Sequence, residues 1–453
     1  MKVQSARRLS FVPACVISAA AVAAMVAPSA ASAGVQCSGA NITGQGAAVE
    51  GVAQGVWTAN FNTSTDAKAC SGKQGNKAKP TVTYNSTSSG AGLRSWGAED
   101  KSPTEINFGP GNAFFATAEA PNATQQTDIQ SQESTSTPDT IETLPVTQYA
   151  LTVYVNLPTG CTATSTGASG RLVLSDKTLE AIWNGTIKEW GEITDDGDAI
   201  TGSGCATDPI VPVVRKEKAG TTNTLKKYLG LINKGTLSTS KGPESWDALS
   251  EGSLNVVWPT ALAPTLTTAE GDAAEADKVA SIPGSIGYSN LAELRVLNLF
   301  SGTGNGAGTA KFWVEIQNGT KGKGASLKNT YQDPSSNGDS GTAASANCKD
   351  TAYTNGESSF PPPAVTALWN EVTTSITKPE KTYSLCNFAY DVVSTKYSLL
   401  SGTSEAEAQA VHDYFGFVAD KKGGQKLLAG NDYYGVPKEV AAELVSGAAA
   451  IGY

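Results

Sequence analysis

The chain has 453 residues, with 33 lysines and arginines against 42 aspartates and glutamates, for a formal net charge of −9. An acidic balance excludes a basic nucleic-acid binder. A single histidine, His412, leaves almost no candidate base for a Ser-His-Asp or Cys-His nucleophilic system.

Lys2, Arg7 and Arg8 precede an apolar run from Phe11 to Val26 and an Ala31-Ser32-Ala33 cleavage signature, the layout of a secretory signal peptide over residues 1–33. The mature chain then begins near Gly34. It carries −12, since the leader holds three basic and no acidic residues. Cys37 lies past the cleavage site without a lipobox, and no other apolar run is long enough to span a bilayer. The expected product is exported, either secreted or associated with the cell surface. Six cysteines remain after the leader, and export permits disulfides. Fifteen pairings are open; proximity in sequence favours Cys37–Cys70, Cys161–Cys205 and Cys348–Cys386. With no CxxC spacing and no neighbouring histidine, neither a zinc site nor any cofactor is expected.

In chain order, Ser38 to Gly46 is a glycine-rich turn before a weakly amphipathic stretch with Val49, Val52, Val56 and Trp57. Thr81 to Tyr84 alternates as a strand and runs into a small-residue loop, Asn85 to Leu93, ahead of a helix. Ile106 to Gly109 reads as a third strand end, followed by Pro110-Gly111-Asn112. Three strand–glycine loop–helix units in a row predict an α/β sheet with a ligand at the strand ends. Residues 120–140 are polar and read as an exposed loop. Val146 to Asn156 reads as an aliphatic strand crossing between lobes. Leu179, Ile182, Trp183, Ile187 and Trp190 mark a helix after Ser175. The tryptophans Trp57, Trp96, Trp183 and Trp190 read as core rather than as a sugar platform, because their spacing is helical.

The segment Arg215-Lys216-Glu217-Lys218-Ala219-Gly220-Thr221-Thr222 stands out. Val211 to Val214 before it reads as a buried strand. Leu225, Tyr228, Leu229 and Ile232 after it repeat at helical spacing. A helix start offers unpaired N–H groups and a positive dipole end. Thr221 and Thr222 add hydroxyls, and Arg215 supplies a guanidinium fork suited to a tetrahedral oxyanion. Glu217 is expected in solvent or paired with a lysine. Further on, Ile282 to Tyr288 reads as a turn into a short buried strand. Residues 300–360 are rich in Gly, Ser, Thr and Asn and read as a loop-rich insertion. Ser404 and Glu407 form a capping box on a helix that leaves His412 at a surface or boundary position.

The order of several segments resembles the phosphate-binding proteins of bacterial phosphate ABC transporters. Ser38-Gly39-Ala40-Asn41-Ile42-Thr43 is similar to that family's SGAGAT opening, and Ser88-Ser89-Gly90-Ala91-Gly92 to its G-S-G-A-G loop. Asn107-Phe108-Gly109-Pro110-Gly111-Asn112-Ala113 resembles its D-F-G-A-S-D-A. Leu174 to Trp190 resembles its L-S-x-x-T-L-x-x-I-F-x-G-x-I-x-x-W, and Pro283-Gly284-Ser285-Ile286-Gly287-Tyr288 its P-G-A-I-G-Y. The resemblance covers roughly 38–300 and 395–453. It implies a two-lobe, periplasmic-binding-protein-like α/β fold of type II with the ligand cleft between the lobes. Residues 34–145 plus 311–453 would form lobe 1, with the insertion at about 300–395, and 146–310 would form lobe 2.

Carried over residue by residue, the resemblance implies an oxyanion site of Thr43, Gly44, Ser89, Asn112, Arg215, Ala219, Gly220 and Thr221. Three of these depart from the family pattern. Asn112 stands where an aspartate accepts the ligand's proton, Ala219 where a serine donates, and Gly44 where a phenylalanine stands. Losing a hydroxyl donor to an ionised ligand costs about 1.5–3 kcal/mol. Asparagine removes the discrimination against a fully deprotonated anion. The implied function is an exported, monomeric solute-binding protein, not an enzyme, that binds inorganic phosphate or a related oxyanion for uptake by an ABC permease; Asn112 and Ala219 imply that it binds phosphate weakly, tolerates sulfate-like dianions or has moved to another ligand. The alternative is a secreted or surface-associated interaction module with a degraded anion site. A phosphoryl-ester hydrolase would need a base or metal beside Arg215 that the sequence does not supply.

Overall fold

The computed structural model describes residues 39–63, 80–98, 112–133, 140–164, 171–195, 199–302, 310–318, 331–338, 342–348, 360–364, 366–374, 382–400 and 402–453. The expected leader, the Cys37–Cys70 pair and the Ile106–Gly109 strand end lie outside them.

From the N-terminus, β1 (Ile42–Gly46) passes through a single 3-10 turn, Ala48–Glu50, into α1 (Gly51–Thr63). Then β2 (Val82–Ser86) leads into α2 (Ser89–Ser95), and β3 (Phe114–Thr117) into α3 (Ala123–Gln130). A long strand, β4 (Ile141–Asn156), follows. Next come β5 (Thr162–Thr164), β6 (Val173–Leu174), α4 (Asp176–Trp183), β7 (Ala199–Thr201), β8 (Val211–Arg215) and α5 (Gly220–Ile232). The hairpin β9 (Thr236–Thr239) and β10 (Gly242–Ser245) precedes α6 (Trp246–Leu249), β11 (Thr267–Ala269), α7 (Asp272–Ser281), β12 (Ser285–Asn290) and α8 (Leu291–Leu297). The last third holds β13 (Lys311–Trp313), β14 (Glu315–Gln317), β15 (Tyr331–Gln332), α9 (Thr366–Thr374), β16 (Cys386–Ser394), α10 (Glu405–Ala419), α11 (Gly424–Leu428), β17 (Tyr433–Tyr434) and α12 (Lys438–Ala450).

The α/β class expected from the sequence is the class observed. One sheet runs β11-β8-β12-β4-β16-β3-β1-β2, with β13 and β17 also paired to β4. It contains two parallel triplets, β11-β8-β12 and β3-β1-β2. Between them lie β4 and β16, antiparallel to each other and each to the triplet beside it. All sixteen residues of β4 are buried, as suits a run rich in Val, Thr, Leu and Tyr that is covered on both faces. Its first part, Ile141–Ala150, pairs with β16, and its second, Leu151–Asn156, pairs with β12. The register with β16 shifts between Ala389 and Tyr390, opposite Thr147 and Pro145. Proline has no ladder N–H to give, so a bulge is accommodated there at little cost.

The described strands place several expected elements differently. The third strand in chain order of the β3-β1-β2 triplet is Phe114–Thr117. Within the polar 120–140 stretch, α3 forms on a complete capping box between Asn122 and Gln125. The helix from Ser175 stops at Trp183, because Gly185 adopts φ +79°; Trp190 lies in a separate 3-10 turn. The 300–395 insertion does not extend through 386–394: β16 is a buried central strand, and β13 pairs with the second part of β4. Trp57, Trp96, Trp183 and Trp190 are all fully buried. Cys161–Cys205 and Cys348–Cys386 are disulfides, each with its Cα atoms 5.7 Å apart.

Candidate functional site

In an open parallel sheet, the strand ends that lead into helices present unpaired helix N–H groups. Here three such ends meet. The turn after β1 contributes Ala47, Ala48 and Val49; the turn after β2 contributes Ser88 and Ser89; the turn after β8 contributes Ala219, Gly220 and Thr221. With Arg215 and Asp272 they line a cavity of about 170 Å³, counting the part open to solvent. The enclosed part is about 10 Å³, the room of a single water, so a larger guest enters only as the turns part. A larger cavity, about 920 Å³, lies beside Arg295 and Trp313. Its two walls are joined through residues 303–309, outside the described set, and it carries no site here.

Each turn is held by bonds its sequence encodes. Ser88 caps α2, its Oγ accepting the Ala91 N–H at 3.1 Å. Ser89, the first helical residue, accepts the Ala118 N–H on Oγ at 3.0 Å, which ties α2 to the end of β3. α5 has no side-chain cap of its own. Asn255 supplies one from a distance: its Oδ1 accepts the Ala219 N–H at 3.0 Å, and its Nδ2 donates to the Ala219 carbonyl at 3.3 Å. The two triplets approach very closely here. A Cβ on Gly220 would lie 2.4 Å from Ala118 Cβ and 2.9 Å from Ser89 Oγ. A larger residue at 220 would have to push the turns apart.

Arg215 closes the cavity from β8 and is 2% exposed. Its guanidinium donates to Asp272 Oδ1 and to Glu217 Oε1, the latter also from Nε at 2.6 Å, and reaches Thr221 Oγ1 at 3.5 Å. Burial works against its charge, but Asp272, Glu217 and Glu275 outweigh burial and hold it protonated beyond the ordinary arginine range. Burial raises the pKa of Asp272, with Arg215 opposing. Glu217 is therefore neither solvated nor lysine-bound, as the sequence alone suggested. A buried arginine needs a partner, and Lys216 faces outward beside Glu270 at 3.8 Å.

Of the eight residues carried over from the resemblance, the structure brings five to the cavity: Ser89, Arg215, Ala219, Gly220 and Thr221. Three do not reach it. Thr43 lies within β1, its hydroxyl 2.9 Å from that of Thr83. Ala47 is four residues further on, about 13 Å along an extended strand. Gly44 faces Phe114, whose ring a Cβ would meet at 2.1 Å; it is a packing glycine. Asn112 precedes β3, and its carbonyl accepts Trp96 Nε1 at 3.3 Å. Since β3 is parallel to β1, Asn112 lies at the end away from the cavity, level with Thr43, whose carbonyl takes the Ala113 N–H at 2.7 Å. The physical reason is common to all three: the cavity lies at the C-terminal ends of these strands, while the small-residue patterns were matched to their N-terminal ends. The groups that do arrive from β1 are Ala47, Ala48 and Val49. Asp272 and Asn255 were missed as well. Both lie far along the chain in unremarkable polar surroundings.

The arrangement can hold a compact anion among backbone N–H groups, the hydroxyls of Ser88, Ser89 and Thr221, and a guanidinium. The sequence profile of the PBP superfamily domain matches residues 41–353. No curated protein matches the chain. Among solved structures, a phosphate-binding protein from Stenotrophomonas maltophilia superposes with a TM-score of 0.58 at 15% identity, over 90% of this chain and 93% of that one. PfluDING, a high affinity periplasmic phosphate-binding protein bound with phosphate, gives 0.56 at 17%, over 90% and 93%. A human phosphate binding apolipoprotein gives 0.56 at 15%, over 90% and 94%. At these identities the likeness is one of fold.

Proposed function

The chain belongs to the PBP superfamily, and from that premise we propose that it is a solute-binding protein for phosphate or a related tetrahedral oxyanion. The observation that carries this reading is the convergence of three helix starts and Arg215 on one small cavity. A buried tetrahedral anion needs donors on nearly every side, and that set offers them from three directions. The solved phosphate-binding proteins of the same fold support the choice of ligand.

In this reading the two parallel triplets are the cores of two lobes. β11-β8-β12 with the second part of β4 builds one, and β3-β1-β2 with β16 and the first part of β4 builds the other. The lobes close on the anion, and closure, not chemistry, is the working step. The leader pattern over 1–33 supports export. The protein acts as a monomer outside the membrane and hands its ligand to an ABC permease. No helix among the described residues is long and apolar enough to cross a membrane.

Calorimetric titration of the mature, disulfide-intact protein with phosphate and with sulfate tests this. Saturable phosphate binding supports the reading. No heat from either anion removes it and favours the second reading, an interaction module. One observation speaks for that module: Arg215 is already held by Asp272 and Glu217.

A further inference from the structure

Two adjacent lysines of α5 meet opposite environments. Lys227 pairs with the exposed Glu251, Nζ to Oε1 at 2.5 Å. Lys226 is fully buried and has no carboxylate beside it among the described residues. Its Nζ donates to the carbonyls of Leu249, Asn255 and Val257 at 3.1, 2.6 and 2.7 Å. It also lies 4.2 Å from the centre of the Trp258 ring. Three acceptors need three hydrogens, which an ammonium has and a neutral amine lacks. The indole face attracts the charge as well. Burial pushes the Lys226 pKa down, and the carbonyls and the ring hold the charge against it.

The three carbonyls belong to one segment, 249–257, and that segment carries Asn255, the remote cap of α5. The Asn255 side chain bonds both backbone groups of Ala219. Its Nδ2 also donates to the Ser250 carbonyl at 2.7 Å, which Asn223 Nδ2 reaches at 3.3 Å. Lys226 therefore grips Asn255 by its main chain, while the side chain of Asn255 grips the turn at the cavity. With the Ala219 N–H used in this way, the helix-start N–H groups of Gly220 and Thr221 remain for an anion. One helix supplies these groups at its first turn and, within about two turns, the cation that holds them.

Resting on the oxyanion reading above, we propose that Lys226 is a positioning residue of the anion site and acts on it through Asn255. Its ammonium fixes 249–257 in the arrangement that lets the Asn255 amide hold Ala219, and so aims the N–H groups of Gly220 and Thr221 into the cavity. The site then depends on two buried cations. Arg215 lines the cavity and is matched by Asp272 and Glu217. Lys226 stands behind the helix start and is matched by carbonyls alone.

The test is phosphate calorimetry on the wild type, Lys226→Ala, Asn255→Ala and the double variant. Each single change should weaken phosphate binding about tenfold, the effect of losing one helix cap. The double variant should bind no worse than either, because both changes remove the same link. Lys226→Ala also leaves a hole facing three carbonyls and an indole ring. Propylammonium, which replaces the deleted stem and charge, should restore affinity in K226A and not in N255A; propanol should restore neither. Losses that add in the double variant, or no rescue by propylammonium beyond that by propanol, overturn the inference and leave the oxyanion reading standing. Unchanged affinity in K226A does the same. No phosphate binding by the wild type removes both. Should K226A fail to fold, Lys226→Met keeps the stem without the charge and carries the cycle, and unchanged affinity in N255A alone overturns the inference.

Discussion

Two buried acid clusters stand near the cavity, and they are neutralised differently. Around Arg215 a guanidinium bonds Asp272 and Glu217. On the other side, Glu50, which directly follows the cavity-lining Ala48 and Val49, stands with Asp391 of β16. Both are fully buried and bridged by Gln54, whose Nε2 donates to Glu50 Oε2 at 3.0 Å and to Asp391 Oδ2 at 3.1 Å. The Tyr414 hydroxyl completes the bridge at Gln54 Oε1, 2.6 Å away. No cation joins them among the hydrogen bonds of the described residues. Burial and the mutual repulsion of the pair raise the pKa of Glu50, and burial raises that of Asp391. A cation can balance one cluster at any pH; the other has only a proton to balance it.

The largest effect should come from removing the cation. Arg215→Met leaves Asp272 buried and unpaired, which should cost about 3–5 kcal/mol in stability and abolish oxyanion binding. Denaturant titration and calorimetry read the two losses. A stable, phosphate-binding variant would break the comparison. Next comes the cluster without a cation. Glu50 and Asp391 have folded pKa values raised above their unfolded ones. Their contribution is therefore fully present below the unfolded carboxylate range and is lost as pH rises through the raised values. Stability should fall by up to about 1.4 kcal/mol per pH unit for one proton in that window. Glu50→Gln should flatten this fall, as measured by denaturation between about pH 5 and pH 8. An unchanged slope would place the proton elsewhere. The smallest effect is Thr221→Val, which removes one hydroxyl beside Arg215. It should weaken phosphate binding by about 0.5–1.5 kcal/mol without shifting the stability slope.

The contrast also shows what was legible in the sequence. That Arg215, Gly220 and Thr221 line one cavity was legible because strand, turn and helix are consecutive there. Ser89 was found for the same reason, beside its capping Ser88. Thr43, Gly44 and Asn112 went astray because Gly, Ala, Ser and Asn repeat on both sides of β1 and before β3. A small-residue pattern can slide there by several positions, and only the pairing of Gly44 with Phe114 shows which residues lie at the end away from the cavity. The acids escaped altogether. Asp272 is 57 residues from Arg215, and Asp391 is 337 from Gln54. Nothing local marks either as buried. α3 could have been read from Asn122-x-x-Gln125, but its polar face concealed it.

The sixteen residues of β4 have a consequence for how the chain acquires its shape. All their neighbours arrive later in synthesis: β12 more than a hundred residues after, then β13, and β16 and β17 only as residues 386–394 and 433–434 emerge. The middle of the sheet therefore stays open-edged until almost the whole chain exists. Long-range pairing of this kind is slow, and unpaired edges invite aggregation. Neither half can be excised as an independent module, since each would lose part of the strand that completes it. A split or fusion of this protein belongs at its termini, and a nascent chain released before residue 394 should be the species that a chaperone has to hold.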